Sequence, residues 1–151
     1  MTSSQDLLLA DEAATARLGA AIAEGLKAGE AVCLSGVLGA GKSSLARALV
    51  RTLTTASEEV PSPTFTLVQI YEGARLQIAH FDLYRLTDPD EAYEVGLDEA
   101  LEDGAAVIEW PERLEGRLPS DRLDIEILIE GEARRARLTR QGAWRGRELG
   151  S

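Results

Sequence analysis

The sequence predicts a single α/β domain whose central parallel strands are extended by antiparallel ones. Three observations carry this. Short apolar runs at 31–35 and 105–110 read as buried strands. Stretches of helical period lie around and between them. A C-terminal segment, 121–142, alternates apolar and polar residues on either side of Gly131, as an antiparallel hairpin does. At 151 residues the chain has the length of one ordinary domain.

In chain order, Asp11 can cap a helix from about 12 to 28. Leu18, Ile22 and Leu26 recur every four residues there, Ala21 and Gly25 share their face, and Gly29 is a stop. "AVCLS" (31–35) is a short strand, followed by the glycine-rich "GVLGAGKS" (36–43). The run "KSSLARALVRTL" then places Leu45, Leu49 and Leu53 on one helical stripe. "TTASEEVPSP" (54–63) is polar and closes on two prolines, a connection of definite shape. "TFTLVQIY" and "RLQIAHFDLY", separated by "EGA", predict a hairpin. "DPDEAYEVGLDEALEDG" predicts two short helices divided by Gly96, and "AAVIEW" (105–110) a strand stopped by Pro111.

The formal net charge of −10 argues against broad binding to a phosphate backbone. Its distribution is uneven. Residues 88–115 hold eleven acids against Arg113 alone, whereas 134–147 hold six arginines and no acid. Both read as solvated faces, with docking surfaces for macromolecules as the sharper alternative. The stretch 140–151 is expected to be a flexible Arg-rich tail. Cys33 is the only cysteine and His80 the only histidine, so an internal disulfide and multi-His or thiolate metal clusters are excluded. No apolar run is long enough to span a membrane. The N-terminus, with only a three-leucine patch, lacks the basic segment of a secretory signal, so a cytoplasmic location is the default.

The chemistry concentrates in 36–43. Gly36, four residues, then Gly41-Lys42-Ser43 is the spacing of a loop whose backbone N–H groups cradle phosphates. Its place between a strand and a helix adds the donors of the helix N-terminus. Lys42 is placed to reach the β- and γ-phosphates, and Ser43 to offer a hydroxyl to Mg²⁺. Such a loop needs an acid from a neighbouring strand. Asp82 and Glu109 both end apolar runs, where open α/β sheets bind ligands. One can support Mg²⁺ while the other orients an attacking water, and the residues alone do not divide these roles. Thr64, on the proline-shaped connection, is a candidate switch hydroxyl or a plain turn residue. His80 reads as a core or hydrogen-bonding residue rather than a general base, Trp110 as a core or interface aromatic, and Tyr84 and Arg85 as packing and surface charge.

Four stretches, "GVLGAGKSSLARAL", "SPTFTLVQIY", "HFDLYRLTDPDEAYEVGL" and "VIEWPERL", come in this order and together closely resemble the TsaE (formerly YjeE) family. Its members are bacterial P-loop ATPases required for threonylcarbamoyladenosine modification of tRNA. The likeness covers most of 10–140. It implies a P-loop NTPase-like three-layer sandwich, with helices on both faces of the sheet. It also implies hydrolysis of ATP to ADP with Mg²⁺, weak in isolation. The implied partners are TsaD and TsaB, which transfer threonylcarbamoyl to adenosine 37 of ANN-decoding tRNAs. The ATPase would reset their assembly, meet tRNA only through it, and have no membrane partner. By position the resemblance gives phosphate binding to Gly36, Gly39, Ala40, Gly41, Lys42, Ser43 and Ser44, and metal binding to Ser43 and Glu109. Asp82 and Thr64 fall at its second-acid and switch positions, and Glu12 and Arg134 where relatives approach the base or sugar. Two departures stand out: Val37 where the family usually has Asp, and Ser43 where it has Thr. Ser43 keeps the hydroxyl; Val37 loses a carboxylate. A small-molecule kinase and a nucleotide-sensing module without turnover are the alternatives.

Overall fold

The structure, a computed structural model, describes residues 3–37, 39–61 and 67–149. The elements are β1 (Ser3–Leu9), α1 (Glu12–Gly25), β2 (Ala31–Ser35), α2 (Lys42–Leu53), β3 (Val68–Glu72), β4 (Gln77–Asp82), α3 (Asp90–Glu94), α4 (Leu97–Asp103), β5 (Gly104–Glu109), β6 (Arg122–Glu130) and β7 (Ala133–Gln141). Single 3₁₀ turns occupy Pro111–Leu114 and Gly142–Trp144.

All seven strands join one sheet in the order β1-β7-β6-β2-β5-β4-β3. The four inner strands β6, β2, β5 and β4 are parallel; β7, β1 and β3 add antiparallel edges. Apolar runs without alternation sit where both faces are covered, as parallel strands require. In β2, Val32 and Leu34 pack in the cluster formed with α1 and α2, while Ala31 and Cys33 pack in the cluster formed with α3 and α4. Helices therefore cover both faces, the expected sandwich. Cys33 is 1% exposed, and burial pushes its thiol up to about 12, with Asp124 raising it further and Arg122 lowering it.

Two expectations are corrected, and one strand is added. Helix α1 starts at its predicted cap, where Asp11 Oδ1 accepts from Ala14 N at 2.9 Å, but ends at Gly25 instead of 28. Arg75 donates to the carbonyls of Ala23 and Leu26, and Arg147 to that of Gly25, so distant side chains satisfy the helix's last acceptors. The leucine patch of the N-terminus is the edge strand β1, paired in register with β7. The stretch beyond 140 is not a free tail through residue 149. Trp144 is completely buried, and both arms of the Arg147 guanidinium bind Glu30, at 2.7 and 2.8 Å. Much of the arginine run is paired within the chain, with Arg135 and Arg137 still partly exposed, as a solvated face would be. Arg135 pairs with Glu130, Arg137 with Asp6, and Arg140 reaches Gln5 and the carbonyl of Arg147.

The register fixes the site. Leu34 lies opposite Glu109, and Glu109 opposite Asp82, so three parallel strands end together beside the N-terminus of α2. Strand alternation turns Glu109 and Asp82 to the α2 side, the face shared by Val107 and Ile78.

Candidate functional site

The glycine loop turns between β2 and α2. Gly36 has φ +138°, and a Cβ there would sit 2.6 Å from the carbonyl oxygen of Ile127 in β6. Only glycine satisfies both the angle and the contact. Gly41, at φ +108°, opens α2 with no side-chain cap. The first N–H groups of α2 thus face the site unclaimed by a capping side chain, with the positive end of the helix dipole behind them.

Lys42 is the first residue of α2 and only 4% exposed. Its Nζ donates to the carbonyls of Gly36 and Val37, the latter at 3.2 Å, and lies 3.7 Å from the centroid of the Trp110 ring. Burial lowers the ammonium's pKa from the ordinary lysine value, while Glu109, Glu112 and Asp82 pull it back up. Trp110 takes this position through a left-handed backbone, φ 61°, just before Pro111, and its N–H donates to the Leu34 carbonyl at 3.2 Å. Tyr84 packs against it, with ring centroids 5.0 Å apart.

Beside the lysine, Ser43 Oγ donates to Glu109 Oε1 at 3.1 Å. The other carboxylate oxygen, Oε2, lies 2.6 Å from His80 Nε2, with both residues buried. Asp82 Oδ1 accepts from Tyr84 N at 3.0 Å. Arg134 comes from β7 on the other side of the loop. Its Nε donates to Ala40 O at 3.0 Å and its Nη2 to Gly39 O at 3.4 Å, so it ties the loop to β7.

Two cavities flank the loop and share Gly39, Ala40, Gly41 and Ser44. One, about 440 Å³, adds Lys42, Ser43, Asp82 and Glu109. The other, about 400 Å³, adds Glu12 and Arg134. Every described residue predicted for the site except Gly36 lines one or both, and Gly36 anchors Lys42 from behind. A roomier cavity of about 850 Å³ lies on the far face of β2, lined by Val37, Leu128 and Ile129 among others. Among the described residues it meets the loop only at Gly36 and Val37, so the residues expected to bind phosphate, Gly36 apart, line the two smaller ones. Thr64 lies outside the described residues.

Sequence reasoning undervalues one side chain and leaves the partner of another unnamed. Trp110 reads from the sequence as a core or interface aromatic, yet it roofs the lysine; the acid-aromatic-proline order at a strand end is its only signal. His80 was read as core or hydrogen-bonding, and its partner turns out to be Glu109. Among the described residues, no group of three or more His, Cys, Asp or Glu is placed to hold a metal by itself.

A glycine loop leading from a central parallel strand into a helix, flanked by two strand-end acids, defines a P-loop NTPase-like domain. The family model described as threonylcarbamoyl adenosine biosynthesis protein TsaE matches residues 9–138. The tRNA threonylcarbamoyladenosine biosynthesis protein TsaE of Aquifex aeolicus is 39% identical over 139 residues, covering 91% of this chain and 97% of that protein. Its counterpart in Rickettsia felis is 38% identical over 128 residues, covering 83% and 75%. The crystal structure of Bacillus subtilis YdiB matches the fold with a TM-score of 0.77 at 27% identity, over 94% of this chain and 88% of that one. The chain belongs to the TsaE family.

Proposed function

We propose that this protein is a Mg²⁺-dependent ATPase subunit serving tRNA threonylcarbamoyladenosine biosynthesis. It acts in the cytoplasm with TsaD and TsaB, resets their assembly by an ATP-driven cycle, and meets tRNA only through that complex. Among the described residues, no helix is long and apolar enough to cross a membrane.

One observation carries the reading: the 3.1 Å between Ser43 Oγ and Glu109 Oε1 at the mouth of the loop. Adjacent ligands of octahedral Mg²⁺, each at 2.0–2.1 Å, stand about 2.9 Å apart, so the two oxygens suit neighbouring positions on one ion. Nucleotide phosphates and water would complete the shell, as the hard cation prefers. When bound, Mg²⁺ supplies neutralisation of the charge on the phosphoryl oxygens. The chain's own groups supply the rest. Amides of Gly39, Gly41 and α2 hold the phosphates, Lys42 adds a point charge, and Asp82 faces the same cavity to orient water. Glu12 and Arg134 border the space where base and sugar would lie.

Phosphate release from ATP, measured alone and with TsaD and TsaB, tests the reading; no release in either setting overturns the ATPase. Glu109→Ala is expected to cut hydrolysis by roughly 10²-fold or more and ADP affinity by much less. Should lost ADP affinity account for the whole defect, Glu109 has no part in the chemistry. A phosphorylated acceptor in place of free phosphate would mark a kinase. Nucleotide-dependent partner affinity with background phosphate release would mark a sensing module.

A further inference from the structure

We infer that His80 is a positioning residue that locks the Glu109 carboxylate in the orientation a metal ligand needs. The inference rests on the Mg²⁺–nucleotide reading of the loop.

His80 lies on β4, opposite Val107 of β5, two residues before Asp82. Strand alternation therefore sends its ring to the same face as both acids. The ring is 1% exposed, and Nε2 meets Glu109 Oε2 at 2.6 Å, donating to the carboxylate. Nδ1 has no hydrogen-bond partner among the described residues. Among the described residues, the contact with Glu109 is thus the one hydrogen bond of a fully buried imidazole. Burying a polar ring with one nitrogen unmatched is unfavourable, and an apolar side chain would fill the space without that cost. Packing alone does not explain the histidine; the bond to Glu109 does.

A glutamate at a strand end has three rotatable bonds. Held only through Ser43, its carboxylate could still turn about the last of them. A second contact to the other oxygen, from a different strand, fixes the plane and leaves Oε1 aimed at Ser43 Oγ. Groups that hold a ligating carboxylate in this way typically change metal affinity or activity 10–100-fold when removed.

The experiment is titration of ADP by calorimetry, with Mg²⁺ and with EDTA, on the full chain and on His80→Phe, His80→Gln and His80→Asn. The quantity read is the gain in ADP affinity that Mg²⁺ confers. Phe fills the volume without a donor, Gln reaches the place of Nε2 with an N–H, and Asn stops short. His80→Phe and His80→Asn are expected to lose roughly 10–100-fold of the Mg²⁺-linked gain, well beyond any loss in EDTA, and His80→Gln to recover most of it. If His80→Phe does not fold, the contrast between Gln and Asn decides. A full gain in the variants that lack the bond overturns the positioning role, as does an equal loss in all three. A wild-type protein that binds ADP without any Mg²⁺-linked gain overturns the metal reading as well, which separates the two failures.

Discussion

Lys42→Ala is expected to lower ATP turnover by roughly 10²–10³-fold, the scale for removing one preorganised donor from a transition state. The side chain is in position before any phosphate arrives. Its stem is packed in the loop, and its ammonium is enclosed by the Gly36 and Val37 carbonyls and the Trp110 ring. Partial loss of water makes this charge more effective toward a phosphoryl group than a solvated lysine would be. The same burial lowers its pKa, against the pull of Glu109, Glu112 and Asp82, so the charge is held at some expense to the fold. Removing it relieves that desolvation while forfeiting the carbonyl bonds, and the two effects oppose each other. Stability should change by less than about 2 kcal/mol. Phosphate release at saturating ATP and urea unfolding measure the two quantities. Unchanged turnover would remove Lys42 from the mechanism.

Trp144→Ala should have the largest effect on stability, about 3–5 kcal/mol, the usual cost of emptying a large aromatic site. That is a substantial share of the roughly 5–15 kcal/mol that holds a domain together. Trp144 is fully enclosed in the core beneath α1, and the Arg147 guanidinium stacks 4.4 Å from its ring centroid. Arg147 in turn holds Glu30, just before β2, and the carbonyl of Gly25. The substitution would loosen the C-terminal stretch and the connection from α1 to β2 together. Equilibrium urea denaturation reads the change; a loss under about 1 kcal/mol would mean the stretch is dispensable.

These two residues also show what the sequence could and could not reveal. Lys42 was legible because the loop's chemistry is local: glycines, lysine and hydroxyl within eight positions, between a strand and a helix. Asp82 and Glu109 were legible because parallel strands end at one edge, which turns a linear position into a spatial one. Trp144 was not. Its neighbours in sequence include arginines, and it packs against Gly25 of α1, more than a hundred residues away, while Arg147, stacked on its ring, reaches back to Glu30. Strand β1 was hidden for a different reason. Leu7, Leu8 and Leu9 are all apolar, which erases the alternation, although in the fold Leu9 is buried and Leu8 is over half exposed. The bond between His80 and Glu109 depends on the register of β4 against β5, and an offset of one residue would have parted them. Trp110 reaches Lys42 only through a left-handed backbone that neither residue type nor spacing announces.

Cys33 sits in the middle of the sheet, 1% exposed, packed in the cluster formed with α3 and α4 and lining the larger cavity. With burial pushing its thiol up to about 12, the reactive anion is a negligible share of the total at neutral pH. Maleimides and iodoacetamides should leave the native fold unlabelled, and rapid modification in buffer would contradict this burial. The molecule is therefore its own blank for attaching fluorophores or spin labels. A single cysteine introduced at an exposed position would report distances or docking while the natural residue stays in place.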